Sequence, residues 1–477
     1  MKKIKIYWRI MYFVTVGVLI YPSISISCYF KVLSSGFSIS TTQRHEWHPW
    51  VEYNSVDDEF LVFWNTSGKL RDDCAAGDDY ECINSFQSVH AQRYSSKGEP
   101  LDDAITVSPA EGPNDSVSWK SMPRLVYNEL RNEYMMVFMV GQHPTKPTQD
   151  NVIFTARLSG EGTILSPPAM LHPTLYNASH PDVAFNSQNR EYLIIYNDKY
   201  QFRDVDDFDN IGFIVNEDGE IQKGPFNIGL PFGSKFAPYV EYNSKDNTYL
   251  FAWEDWRYGD VPWYLRPDEI YGSMLDDEGN MLANIPVVDD FGLADEGETQ
   301  LMPSIAYNPH RNEFLVVWND SRPSLDDGGI MGRIIKSDGT PKGADFVVVD
   351  GPGTQGAPKV TYVKERRKYF VVWQDSRDYT PPPDAPEYER INDIYAQWLK
   401  PNGKALGDDI LIYKAEGNQS MPSVAYSPKA DSFFITWRDE NAEGDFTPVG
   451  PGAVMAPEIK ADVRGAIYGR TRLFQIK

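Results

Sequence analysis

The segment SIAYNPHRNEFLVVWNDSR, residues 304–322, is written again as YVEYNSKDNTYLFAWEDWR at 239–257 and as SVAYSPKADSFFITWRDEN at 423–441. A chain of 477 residues that repeats one pattern must fold by stacking one unit, so the repeat bounds the architecture before any domain count does. Aligned on the proline that opens each copy, the copies start at Pro49, Pro123, Pro181, Pro238, Pro303, Pro358 and Pro422, in steps of 55 to 74 residues. Each copy holds a short strand (PSIAY), a polar turn, an apolar run ending in an aromatic (EFLVVW) and a variable loop. A third strand (IYGSML, IYAQWL), a Gly-containing turn (DDEG, KSDG, KPNG, NEDG) and a fourth strand (FVVVD, ILIYK) complete it. Asp-Gly and Asn-Gly tips make tight hairpins because glycine accepts positive φ without penalty. They lack the oxygen spacing of an EF-hand.

The second strand is apolar at nearly every position. A sheet with one wet face would alternate, so this strand is covered on both faces, as happens when four-stranded sheets stack radially. The last copy ends after its third strand, while an orphan, FSISTT (37–42), precedes Pro49 as FVVVD precedes Pro358. The N-terminal strand is therefore expected to complete the last blade and close the ring, which removes an exposed sheet edge. The fold class expected is all-β: a seven-bladed β-propeller of four-stranded antiparallel blades. This repeat resembles those of secreted bacterial seven-bladed β-propeller proteins over nearly the whole mature chain. The resemblance implies the fold and not the activity, since propellers host many functions.

Lys2, Lys3, Lys5 and Arg9 precede the apolar stretch 10–21, which Pro22 breaks off. A basic head, a short greasy middle and small residues after it read as a secretory signal, residues 1–27, leaving 28–477 as one propeller domain. Ser25-Ile26-Ser27 offers a small-x-small cleavage site, and Cys28 directly after it resembles a bacterial lipobox, except that Ser25 stands where Leu is usual. Lipidation of Cys28 and simple cleavage both remain open. Cys74 and Cys82 then form a pair in a polar loop, read as a disulfide in an oxidising compartment, with a two-cysteine metal site as the rival.

The formal net charge of -23 repels phosphate backbones, which excludes nucleic acid as a partner class. It also disfavours anionic polysaccharides unless a local basic patch overrides the field, and it makes a bound Ca2+ the one cofactor the sequence suggests. The membrane enters only through an N-terminal lipid anchor, and a monomer is expected.

Function is sought where copies differ. The loops from strand two to strand three are long and different in every blade, so their face is the expected working surface. Trp-x-Asp-x-Arg opens several of them: Trp253, Asp255, Arg257; Trp318, Asp320, Arg322; Trp373, Asp375, Arg377. Recurrence favours a structural role, an Asp capping loop amides and an Arg tying neighbouring blades, over a ring of functional groups. Blade four places Trp256, Tyr258, Trp263 and Tyr264 beside Arg257 and Arg266, and blade six holds Tyr379, Tyr388 and Arg390 near three successive prolines. Aromatics next to planar donors suit sugar rings. Asp204, Asp206, Asp207 and Asp209 form an oxygen-rich cluster, read as a calcium site or a solvated acidic loop. His48 and His180 each precede a blade-opening proline and are expected near the channel mouth. His143 lies in the loop of blade two. His143, His180 and Tyr258 are the candidate general bases, with Arg257 as the charge-neutralising partner.

Three functions follow: a secreted or surface-anchored binder of a glycan or polysaccharide on the loop face; a polysaccharide lyase or glycoside hydrolase on the same face; and a scaffold for an extracellular protein partner. The sequence does not decide whether the protein is an enzyme.

Overall fold

The computed structural model describes residues 4–5, 24–40, 46–66, 88–108, 119–141, 151–172, 177–199, 208–228, 234–256, 269–286, 299–322, 324–380, 391–441 and 460–476. These residues form seven antiparallel sheets. In blade one the strands Glu46–Asn54, Glu59–Thr66, Ser88–Ser95 and Ile105–Ser108 pair in sequence order, and blades two to six repeat that order. The first strands touch in a closed circle, 46–54 against 119–128 and so on to 418–427, which returns to 46–54. The chain is a seven-bladed β-propeller.

Blade seven is completed from the other end of the chain. Ile24–Ser40 pairs antiparallel with Lys460–Ile476, with Phe37 opposite Gly465 and Ser40 opposite Val463. Strand Ile24–Ser40 starts ahead of Cys28, so in the full chain pairing runs through the expected cleavage point. Phe37 shares a device with Phe226 and Phe346: each stands twelve residues before a blade-opening proline. Each ring lies against a left-handed glycine in the third-to-fourth-strand turn of the next blade, Gly98, Gly279 and Gly403 respectively, where a Cβ would meet the ring at 2.0 to 3.1 Å. Glycine is required there by both φ and space.

The second strand is buried throughout, and the third strands of blades three to six are nearly as enclosed. All eight residues of Glu59–Thr66 are buried, and Trp64, Trp253, Trp318, Trp373 and Trp437 at the strand ends are almost wholly enclosed. The cores lie between blades rather than within them. Met135, Val137 and Met139 of blade two pack on Tyr192, Ile194 and Phe213 of blade three, and Ile39 and Phe434 of blade seven pack on Phe60 and Trp64 of blade one.

Each blade opens on a bulge. The pairing of strands one and two slips between Trp47 and Trp50, between Ser121 and Arg124, between Ser179 and Asp182, and at the equivalent place in the other four blades. The proline sits inside each slip, where its missing N–H costs no ladder bond. The residue before it is left-handed every time: His48, Met122, His180, Ala237, Met302, Ala357 and Met421, with φ between 42 and 56°. At the far end of strand one, Asn54, Asn128, Asn186, Asn243 and Asn308 accept the turn amides on their side-chain oxygens. The preceding tyrosine closes the same turn, as Tyr53 donates to Asp58 at 2.8 Å and Tyr307 to Asn312 at 2.8 Å. Asp58 and Asn312 are themselves left-handed, a conformation that short polar side chains tolerate.

Trp-x-Asp-x-Arg, described in full in blades five and six, is a latch inside one blade. Trp373 Nε1 donates to Asp375 Oδ2 at 2.7 Å, and the Arg377 guanidinium holds that carboxylate at 2.6 Å and Asp409 at 2.7 Å. Trp318, Asp320, Arg322 and Asp345 repeat the arrangement. The structural role expected from recurrence holds, with one correction: Asp409 and Asp345 precede the fourth strands of the same blades, so the arginine ties strand two to strand four and not blade to blade. In blade seven, which has Asn441 in place of the arginine, Arg464 of strand three pairs with Asp439 instead.

Candidate functional site in the central channel

The bulge turns the residue after each proline toward the channel. In blade order these are Trp50, Arg124, Asp182, Tyr239, Ser304, Lys359 and Ser423. Three are short and stitch neighbouring blades. Ser423 Oγ accepts from Val51 N at 3.3 Å, Asp182 Oδ2 from Val240 N at 2.9 Å, and Ser304 Oγ from Val360 N at 3.2 Å. The other four are long and meet in the middle. The Arg124 guanidinium carbon lies 4.6 Å from the Trp50 ring centre and 5.6 Å from that of Tyr239. Lys359 Nζ lies 5.2 and 4.2 Å from the same two rings and donates to the Tyr239 hydroxyl at 2.9 Å. The two cations are held by π faces and a phenol oxygen.

Below this cluster the channel opens into a cavity of about 570 Å³, lined by strand one of all seven blades down to the first turns. Trp50, Tyr239, Lys359 and Asp182 line it, together with Glu52 and Glu241. Glu52 accepts from Trp50 Nε1 at 3.1 Å, and Glu241 accepts from Tyr307 N at 3.4 Å. Burial pushes Asp182 up to about 6, Glu52 up to about 7 and Glu241 up to about 8, against the pull of the hydrogen bonds each accepts. Glu52 and Glu241 keep an accessible edge toward the cavity, so channel solvent softens their shifts. Burial also lowers Lys359. Burial alone would raise Tyr239, but Lys359 and Arg124 outweigh it and hold the phenol below its ordinary range.

On the other side of the cluster stand His48 and His180. His48 Nδ1 lies 3.3 Å from Asn65 Oδ1, and His180 Nδ1 lies 3.2 Å from Ser179 Oγ. Burial first, and the nearby Arg124 second, lower His48 to about 3 and His180 to about 4, so both imidazoles are neutral near pH 7. Trp47 and Arg438 flank them, the guanidinium 3.5 Å from the indole centre and paired with Glu440 at 2.6 Å.

Of the residues singled out from sequence, His180 and His48 are at this mouth. Tyr379 is half-buried in the turn after Asp375, with its amide on Ser376 O at 2.9 Å. Asp209 is buried in blade three, paired with Lys235 at 3.0 Å and accepting from Asn227 at 3.2 Å. Trp256 ends strand Thr248–Trp256 and Cys28 lies in strand Ile24–Ser40, each placed by its backbone. His143, Arg257, Tyr258, Trp263, Tyr264, Arg266, Tyr388, Arg390, Asp204, Asp206, Asp207, Cys74 and Cys82 lie outside the described residues. Among the described residues no group of three or more His, Cys, Asp or Glu side chains is placed to hold a metal ion.

The channel residues Trp50, Arg124, Tyr239, Lys359, Glu52 and Glu241 were not singled out from sequence. Their signal was present. The position after the proline reads W, R, D, Y, S, K, S through the seven copies, while the next position reads V, L, V, V, I, V, V. A column that changes chemistry in almost every copy, beside one that never does, marks side chains that the common blade pattern does not fix.

No family model matches the chain, and no curated protein matches it. Solved structures that match in part include a protein of unknown function from Dyadobacter fermentans, at 11% identity and a TM-score of 0.49, over 75% of this chain and 96% of that one. An α-L-arabinanase from Penicillium chrysogenum matches at 10% identity and 0.44, over 75% and 95% of the two chains. The Hadza microbial sialidase Hz136 matches at 12% and 0.44, over 80% and 73%. At such distances none transfers a residue role or a ligand.

Proposed function

We propose that this protein is an extracellular glycan-binding β-propeller whose ligand enters the channel from the face of the second-to-third-strand loops. The observation that carries the reading is the pair of rings, Trp50 and Tyr239, each in contact with both Arg124 and Lys359 where the channel narrows. Aromatic faces take the CH faces of sugars, and fixed donors beside them take hydroxyls. The loop residues Trp256, Trp263, Tyr264, Arg266, Tyr379, Tyr388 and Arg390 extend the same chemistry around the rim in this reading. In this reading residues 1–27 direct export, Cys28 is the lipid anchor, Cys74 and Cys82 pin their loop, and Ca2+ is held by Asp204, Asp206 and Asp207, since Asp209 is taken by Lys235.

The test is co-elution of the mature protein with neutral and acidic polysaccharides, with calcium and with chelator. Retention that Trp50→Ala abolishes supports the reading, and no retention by any polymer sinks it. A second reading, a polysaccharide-cleaving enzyme, draws on the nearness of His180 to the Arg124 charge, a base beside a charge partner as a β-elimination needs, with burial weakening that base. Shortened polymer whose new ends absorb in the ultraviolet would put that reading first.

A further inference from the structure

The charge of the chain makes one feature of the channel anomalous. With a net charge of -23 there are carboxylates to spare, and buried or half-buried arginines elsewhere take them: Arg93 has Glu59 and Asp102, Arg157 has Glu133, Arg322 has Asp320 and Asp345. Arg124 has none in ion-pair contact among the described residues: Asp182 feels its charge across space but accepts from Val240 N instead. Its guanidinium donates only to Pro123 O at 3.0 Å and to the Tyr239 hydroxyl at 3.5 Å, and its buried Nε has no acceptor at all. A guanidinium removed from water without a carboxylate partner is costly, and its planar fork fits a carboxylate in two parallel bonds.

The surroundings are arranged for a visitor. His48 of blade one, Arg124 of blade two and His180 of blade three come from consecutive blades, and the Arg124 charge is felt by both imidazoles. Each histidine sets Nδ1 against a protein oxygen, Asn65 Oδ1 for His48 and Ser179 Oγ for His180, and Asn197 also bonds the His180 ring. The position before the proline holds only Met or Ala in the other five blades, so the two imidazoles stand on one side of the mouth. Trp50 and Tyr239 stand against Arg124 and offer the stacking faces.

We infer that this mouth selects acidic sugars: the carboxylate of a uronic-acid residue seats on Arg124, with His48 and His180 bonding through Nε2 to oxygens of the same ring. The inference rests on the glycan-binding reading and names its ligand class. It also answers the field of the whole protein, because a local cation that no carboxylate bonds directly is what lets an acidic surface accept an anion.

The test is titration calorimetry of the mature chain with tri-galacturonate, its methyl ester, a neutral glucose trisaccharide and glucose 6-sulfate. The same titrations are run on Arg124→Met and Arg124→Lys, with circular dichroism melts confirming that each variant is folded. The acid is expected to bind about 10- to 100-fold more tightly than its ester, the range of a charge-assisted hydrogen-bond pair. Arg124→Met is expected to erase that preference while leaving ester binding in place, and Arg124→Lys to restore part of it. If acid and ester bind alike, or if Arg124→Met keeps the preference, the inference is overturned and the glycan reading stands. Tighter binding of glucose 6-sulfate than of the uronide overturns the carboxylate assignment. Binding of none of the four overturns the inference, and the glycan reading then stands or falls on the polysaccharide co-elution.

Discussion

Asp375→Asn is the sharpest test of how the blades are held. Asp375 is wholly buried, and three donors converge on it: Trp373 Nε1 at 2.7 Å, the Arg377 main-chain N at 2.9 Å and the Arg377 guanidinium at 2.6 Å. Asparagine keeps the shape but has one accepting oxygen. If that oxygen faces Trp373 and the guanidinium, its NH2 faces the Arg377 amide, and if it is flipped the conflict moves to the other two donors. Breaking a buried pair by neutralising one member costs about 3–5 kcal/mol. Arg377 is a fifth exposed and still reaches Asp409, so the expected cost is reduced to about 2–4 kcal/mol. Amide hydrogen exchange over 368–375 reads the effect locally, as protection falling by about 30- to 1,000-fold. Arg377→Met alone should cost about 1–2 kcal/mol, and the double variant should cost less than the sum of the two. Protection within tenfold of the parent, or strict additivity, would refute the latch as a stabilising unit.

Further outcomes follow from the channel and the ring. Burial raises Glu52, Glu241 and Asp182 above their unfolded values, so folding stability attributable to them is full below about pH 4 and is lost as pH climbs through about 6 to 8. Glu241→Gln, which keeps an acceptor for Tyr307 N, should therefore flatten the fall of Tm between pH 5 and 8; an unchanged slope would discount the site. His48 and His180 act with the opposite sign, since their folded pKa values lie below 6.5. Their contribution is present above that value and is lost as pH falls toward 3, so the histidine double variant to Gln should melt less steeply between pH 6 and 4. Gly403→Ala puts a Cβ 2.0 Å from the Phe346 ring at a φ of +83°, and should lower stability by more than about 2 kcal/mol in urea unfolding, whereas Gly407→Ala, with open space around it, should register only the strain of its backbone.

The ring was legible because every blade must solve one packing problem, so strand two repeats a buried run and glycine returns at each tip. Closure was legible because FSISTT stands at the spacing of FVVVD. The channel was not. Arg124 and Lys359 lie 235 residues apart in sequence and meet only through the circular arrangement, so no local window contains their chemistry. The bulge that aims them is also silent, because a proline in a strand reads as an interruption. His48 and His180 were found through their place beside that proline, and the residue on its other side carried the stronger signal.

The seam of the circle joins strand 24–40 to strand 460–476, so the first segment made has to wait for the last. Closing so long a loop costs only about 2 kcal/mol more entropy than closing one blade, since the penalty grows with the logarithm of length. The burden is therefore one of time. Until residues 460–476 arrive, Phe37 and its strand have no permanent partner, and six assembled blades end in an open edge that another chain could pair with. A half-made molecule of this kind is the one most at risk of joining a second copy, and that risk ends when Gly465 of the arriving strand closes on the Phe37 ring.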